Sequence, residues 1–452
     1  MEKRSTFTNS LGFVLAAASS AVGLGNIWRF PYLAAKYGGG VFLLFYIILV
    51  VTFGFSLMTA ENAIGRKTAS SPLKAFAALN KKWGFIGVLA TLVPAIILPY
   101  YNVIGGWIIK YCIGYLTGAS SAMAADDFFE MQFLAKSPGQ MILFQGIFTV
   151  VTSLIVAGGV QNGIERFSRI LMPLLIVLAI VVAVYSITLP GAMEGVKYFF
   201  IPDFEHFTIM SVLGAMGQMF FSLSLAMGIM ISYGSYLPKD ADLEKSVSKV
   251  EIFDTLIAVL AGLMIIPAVF AFSGGDPDAL NKGAGLMFVT LPKVFDKMGF
   301  ASVMGSVFFF LVLFAALTSS VSIMEAIVPA LMEKFGYGRK KATVITAVYT
   351  FVLGTIIALG YNKLSFINWG GRTILDILDF LSNSVIMPIT ALMTCIFIGY
   401  IAGVDVIGNE VELSGQFKRK KMFIVMIKYI APVLLLAILV SSVLETLGYI
   451  AF

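Results

Sequence analysis

The sequence is poor in the residues on which most enzymes depend. It has two cysteines, Cys112 and Cys395. Both fall in apolar segments, so they read as packing residues and not as a disulfide or a metal pair. The one histidine, His206, has no zinc-ligand or Ser-His-Asp partner motif nearby. Neither a nucleophile–base pair nor a metal cluster is visible, which argues against an enzyme. Charge is scarce as well. Charged residues make up 12% of the 452-residue chain, against roughly 25% in a soluble domain. A net charge of +6 on so apolar a chain is no nucleic-acid signature, and no nucleic-acid partner is expected. No cleavable signal peptide is visible, because the N-terminus leads into an apolar run too long for one.

What the chain has is hydrophobic length: 59% hydrophobic residues and a mean hydropathy of +0.93. A spanning helix needs roughly 20 apolar residues. Eleven segments qualify, at about 11–36, 41–65, 84–116, 141–157, 165–189, 208–236, 246–273, 299–332, 342–360, 374–401 and 422–449. The prediction is an all-α polytopic membrane protein with eleven transmembrane helices. Lysine and arginine concentrate on the loops that share a side with the N-terminus, including 339–341 and 418–421. The positive-inside rule then puts the N-terminus in the cytoplasm and the C-terminus outside the cell membrane. These clusters read as topology signals, with lipid head-group binding as the alternative.

Polar residues interrupt the apolar runs at a few places. In segment one, Ser19-Ser20-Ala21-Val22-Gly23-Leu24-Gly25-Asn26-Ile27-Trp28-Arg29 sets two glycines, an asparagine and an arginine where lipid tolerates none of them. Glycine weakens a helix, and irregular backbone survives at membrane depth only where it lines a cavity or a site. Segment six repeats the pattern at Gly217–Gly228, with Ser222 and Ser224 at its centre. Close helix packing by small residues is the alternative there. Broken helices five segments apart suggest an inverted 5+5 repeat, with helices one and six unwound at mid-membrane and a binding site between them. The halves are residues 1–189 and 190–401, followed by a loop and an eleventh helix at 402–452.

Carboxylates in the spans add to this. Glu61 must face protein. Asp254 either sits inside the membrane, where it needs a partner cation, or lies at the cytoplasmic interface. Asp379 could pair with Arg29. Thr318, Ser319, Ser320 and Ser322 suggest a polar helix face turned toward an ion or ligand. Pro94 and Pro99 are expected to kink segment three, and Tyr100 and Tyr101 beside them either pack between helices or bind a ligand.

Taken together, Asn26-Ile27-Trp28-Arg29-Phe30-Pro31, the Gly38–Gly40 run, Tyr100-Tyr101, Gln218 with Phe221–Leu225, and Leu317–Ser320 resemble the neurotransmitter:sodium symporter family, above all its eleven-span bacterial members. The likeness covers segments one to ten. It implies the leucine-transporter-like fold and a sodium-coupled symporter importing hydrophobic L-amino acids by alternating access. It implies a first sodium at the Ala21 carbonyl, Asn26, Ser222 and Asp254, joined by the substrate carboxylate. A second sodium is implied at the carbonyls of Ser19, Val22 and Ala315 and the hydroxyls of Thr318 and Ser319. Oxygen-only ligation suits such a hard cation. The substrate carboxylate is expected to meet Tyr101 and the backbone amides near Gly23 and Gly25. Ile97, Tyr101, Phe221, Ser222, Ser224, Met227, Ser319 and Ile323 are expected around the substrate. Met227 replaces an aromatic of the leucine transporter and Ala226 a glycine, so substrate size is set by opposing changes.

The resemblance also implies two gates. The outer gate comprises Arg29, Asp379, Tyr101 and Phe221. The inner one comprises Arg4, Phe7, Tyr236 and Glu333, where the family more often has tryptophan in place of Phe7 and aspartate in place of Glu333. Glu61 is expected to buttress the segment-six break. Asp254 stands where animal members have a neutral residue, which implies independence from chloride. No organic cofactor is expected, and the assembly is a monomer or loose dimer in the bilayer. Two other readings keep the same site: an amino-acid-gated channel or sensor, and a sodium-coupled carrier for another small solute.

Overall fold

The computed structural model describes residues 6–276, 284–298 and 300–446. Helices account for the architecture, and the described residues form no strand beyond two isolated bridges, Gly39 with Pro202 and Trp369 with Arg372. In chain order the main helices are α1 (Ser10–Ala21), α2 (Gly25–Lys36), α3 (Gly40–Thr68), α4 (Lys81–Leu116), α5 (Pro138–Ala157), α6 (Val160–Ile187), α7 (Ile209–Ser222), α8 (Ile229–Gly234), α9 (Leu243–Ser273), α10 (Ala301–Phe335), α11 (Arg339–Leu359), α12 (Ile374–Ala402) and α13 (Lys420–Leu444). Nine of these are long and apolar enough to cross a membrane among the described residues, or ten if α1 and α2 count as one bent span.

The helix ends follow local chemistry. Asn9 caps α1 by accepting from the Gly12 amide at 2.9 Å. Asp242 caps α9 through the Lys245 amide at 3.0 Å. Thr373 and Asp376 form a reciprocal capping box at the start of α12. Both prolines of α4 lie within a helix that runs on through them. The core is one buried cluster in which α4 packs along α10 and beside α5 and α11, while α1 lies against α9 and α10.

The connecting segments carry structure of their own. The segment 118–140 contains helical turns at Ser120–Met123 and Phe128–Ala135 and buries Phe128, Phe129 and Phe133. The basic residues also do more than set topology. Arg66 is buried and pairs with Glu410 at 3.0 Å, tying α3 to the short helix Val404–Glu412. Arg339 pairs with the buried Glu325 and donates to the Val156 carbonyl at 2.9 Å. A buried charge requires such partners.

Candidate functional site

Two interruptions face each other at the centre of the bundle. Between α1 and α2 the helix stops at Ala21, restarts at Gly25 and bends by 51°. Between α7 and α8, residues 223–228 leave the helix, with Ser224, Ala226 and Gly228 at positive φ of 54°, 58° and 71°. Left-handed backbone costs a non-glycine residue about 1–2 kcal/mol, so two such residues close together mark a conformation that the surroundings enforce.

The surroundings do so with hydrogen bonds between the breaks. Gln218 Nε2 donates to the Gly25 carbonyl at 2.9 Å. The hydroxyls of Ser224 and Ser319 each donate to the Ser20 carbonyl at 3.2 Å. Glu61 Oε1, deep in α3, accepts from the Ala226 amide at 2.7 Å. Close approach explains the glycines of the first break. A Cβ at Gly23 would lie 2.5 Å from Ser319 Oγ, and one at Gly25 would lie 2.6 Å from Phe221 Cδ1.

Of the residues expected at a first ion, Asn26, Ser222 and Asp254 come together. Ser222 Oγ donates to Asp254 Oδ1 at 2.6 Å and lies 3.1 Å from Asn26 Oδ1. Asn26 Nδ2 donates to Asp254 Oδ1 at 2.8 Å. Tyr46 of α3, which sequence reasoning missed, donates to Asp254 Oδ2 at 2.6 Å. Asp254 is fully buried, so it is an interior carboxylate and not an interfacial one, and these hydrogen-bond partners are all neutral. The three oxygen-bearing side chains fit a hard monovalent cation.

At the second expected ion the Thr318 hydroxyl meets the Ala315 carbonyl at 3.0 Å. Ser319 bonds the carbonyl of Ser20, next to that of Ser19. The Ser19 side chain turns away to Ser168, 2.9 Å distant, and the Val22 amide closes the end of α1 on the Ala18 carbonyl.

A small cavity of about 30 Å³ lies between the breaks. It is lined by Ala21, Gly23, Gly25, Asn26, Ile97, Tyr101, Phe221, Ser222, Ser224, Met227, Ser319 and Ile323, so the expected substrate contacts share one space. Ala226, expected to take room beside the substrate, is buried and does not line it. The Leu24 amide points at Tyr101 Oη, 3.5 Å away. The space holds about one water molecule, so a larger solute enters only when its walls move. Beyond Phe221 a wide cavity of about 830 Å³ carries Arg29, Tyr100, Tyr101 and Asp379. The Arg29 guanidinium stands over the Phe221 ring at 5.3 Å. Asp379 accepts from Tyr100 at 3.2 Å and from Asn383 at 2.6 Å. Asn383 had no signal in the sequence beyond being polar.

At the other end, Arg4 lies outside the described residues. Phe7 packs edge-on against Tyr236 with ring centres 6.1 Å apart. Tyr236 donates to Glu325 at 2.7 Å, an acid the sequence reading passed over. Glu333 accepts from the amide and hydroxyl of Ser71 at 2.8 and 2.5 Å.

Broken helices that meet around an oxygen-rich site inside an apolar bundle define a class, the secondary membrane carriers. The chain belongs to the sodium:neurotransmitter symporter family, whose sequence profile matches residues 4–121 and 118–451. It is 38% identical over 403 residues to the uncharacterized sodium-dependent transporter YhdH of Bacillus subtilis, covering 88% of each chain. It is 35% identical over 456 residues to an uncharacterized sodium-dependent transporter of Haemophilus influenzae, covering 98% of each. Its structure is similar to that of MhsT in complex with L-phenylalanine, with a TM-score of 0.87 and 39% identity over 97% of this chain and 100% of that one. The family is one of sodium-coupled membrane transporters.

Proposed function

We propose that the protein is a sodium-coupled symporter that imports hydrophobic L-amino acids by alternating access. The observation that carries this reading is Asp254, a buried carboxylate bonded to three neutral side chains beside a small cavity between the breaks. An interior negative charge of this kind calls for a mobile cation. The L-phenylalanine bound to the similar MhsT supports the substrate class. So do the apolar walls at Ile97, Phe221, Met227 and Ile323, which offer a charged side chain no partner.

On this reading α1 with α2, and α7 with α8, are each one span unwound at mid-membrane. That makes eleven spans, with residues 1–189 and 190–401 as inverted halves and residues 402–452 appended. The first sodium takes Ala21, Asn26, Ser222 and Asp254, and the second takes Ser19, Val22, Ala315, Thr318 and Ser319. Arg29 and Asp379 close the outer path above Tyr101 and Phe221, and Glu61 holds the second break. The N-terminus lies in the cytoplasm. Two sodium ions with a zwitterion carry two charges inward, worth about 4.6 kcal/mol per 100 mV, or about three decades of accumulation. Asp254 supplies the fixed negative charge that makes chloride unnecessary.

The test is a competition screen of the twenty amino acids in proteoliposomes with and without sodium. Accumulation of unaltered tracer against its gradient, driven by sodium and blocked by apolar amino acids, is the expected outcome. Uptake that merely equilibrates would instead identify a channel. Replacing chloride with gluconate should leave uptake unchanged.

A further inference from the structure

Residues 6–8 precede α1 and are held by neighbours on several sides. Gln161 Nε2 of α6 donates to the Thr6 carbonyl at 2.7 Å. The Phe7 amide donates to the Tyr236 carbonyl at 3.0 Å. Glu165 of α6 accepts from both the Thr8 amide, at 2.9 Å, and the Thr8 hydroxyl, at 3.2 Å, through one oxygen. Its other oxygen accepts from Arg169, one turn along, at 2.7 Å. The carboxylate is buried and presses on α1. A Cβ at Gly12 would fall 2.2 Å from Glu165 Oε1, so a methyl group there would push the carboxylate out of its present position.

The chemistry suits a releasable hold. The backbone ahead of a helix has amides without helical partners, and each needs an acceptor. A carboxylate fixed by an arginine is a strong, oriented acceptor. The contact spans 157 residues of sequence and joins the segment before the first break to the helix that also meets α1 at Ser19 and Ser168. Glu165 belongs to neither expected gate.

We propose that Glu165 is a positioning residue of the transport cycle. It latches residues 6–8 to the start of α6, keeps the cytoplasmic path shut, and must release Thr8 before that path opens. The role rests on the symporter reading and its orientation.

The test uses the full chain with spin labels at Leu11→Cys and Lys340→Cys. Both positions are exposed, and the native Cys112 and Cys395 are buried. With sodium present, the parent chain should give one dominant short distance between the labels. Glu165→Ala and Gly12→Ala should each increase the longer-distance population at least threefold. Glu165→Gln, which keeps an acceptor for Thr8, should restore most of the short distance. The double variant Gly12→Ala/Glu165→Ala should match Glu165→Ala alone, because the added methyl group then meets no carboxylate. A parent-like distribution in Glu165→Ala, or additive effects in the double variant, would overturn the latch. Sodium-dependent binding of labelled L-phenylalanine is measured on the same samples. Its absence from the parent chain, with no other apolar amino acid bound in the presence of sodium, would refute the symporter reading, while the distances still decide the latch.

Discussion

Replacing Asp254 by asparagine separates charge from shape at the first ion site. Asp254 Oδ1 accepts from Asn26 and Ser222, and Oδ2 accepts from Tyr46 at 2.6 Å. An asparagine can place its carbonyl at Oδ1 and keep both of those bonds. Its amide then faces the Tyr46 hydroxyl, which turns from donor to acceptor. The fold of the cluster therefore survives and only the negative charge is lost. A unit charge about 4 Å from a monovalent cation is worth about 4 kcal/mol at an effective dielectric constant of about 20. The amide oxygen still offers the ion a dipole and recovers part of that. The expected loss is about 1.4–4 kcal/mol, or ten- to a thousandfold in sodium affinity. The assay is tracer binding to purified protein as a function of sodium. Half-saturation should move up by at least tenfold, while maximal binding at high sodium is retained. Half-saturation within threefold of the parent would refute the assignment of Asp254 to the ion. Loss of binding at every sodium concentration would instead report a damaged fold.

Three further perturbations test the surroundings. Gly25→Ala sets a methyl group 2.6 Å from the Phe221 ring; overpacking of about 1–3 kcal/mol should weaken L-phenylalanine binding at least fivefold with little change in sodium dependence. Ala226→Gly removes left-handed strain at φ 58°, so thermal unfolding in detergent should show stability unchanged or raised by about 1 kcal/mol, whereas Ala226→Val should destabilise because a β-branched residue cannot hold that backbone. Glu325→Gln weakens the pair with Arg339 and leaves Tyr236 an acceptor; a loss of about 2 kcal/mol should appear as a lower unfolding temperature and a larger inward-open population, and an unchanged distance distribution would remove Glu325 from the inner gate.

The breaks were legible because their signal is local. Glycine, asparagine and serine inside an apolar run have no lipid-facing explanation, and residues 19–31 and 217–228 show it without any partner in view. Asp254 was legible only in part, because Lys249 and Glu251 just before it left an interfacial position open. Tyr46 was not. It sits among Phe42, Phe45 and other apolar residues, and its role depends on a carboxylate 208 positions away. Glu325 and Glu333 lie on one helix, and nothing in their local sequence says which one Tyr236 reaches. The helical turns at Phe128–Ala135 were hidden because tertiary packing holds them. Phe129 stacks on Phe288 with ring centres 4.9 Å apart, and no helical periodicity announces that contact.

An opened helix leaves backbone groups bare, and here each break is repaired by another element. The Gly25 carbonyl is met by Gln218, the Ser20 carbonyl by Ser224 and Ser319, and the Ala226 amide by Glu61. The two breaks therefore cannot move apart without stranding polar groups in a dry interior, at about 1–3 kcal/mol for each. An ion or substrate that bridges Asn26, Ser222 and Asp254 adds to the cost of separating α1 and α2 from α7, α8 and α9. A ligand shifts a conformational equilibrium only by its differential affinity for the two states, and in this site that differential is built from atoms belonging to both breaks. Removing a single bridge such as Gln218 should therefore loosen sodium and substrate binding together, because both draw their differential affinity from the same joined arrangement of the breaks. A Gln218→Ala variant that weakens one and leaves the other at its parent value would show that the breaks do not act as one unit.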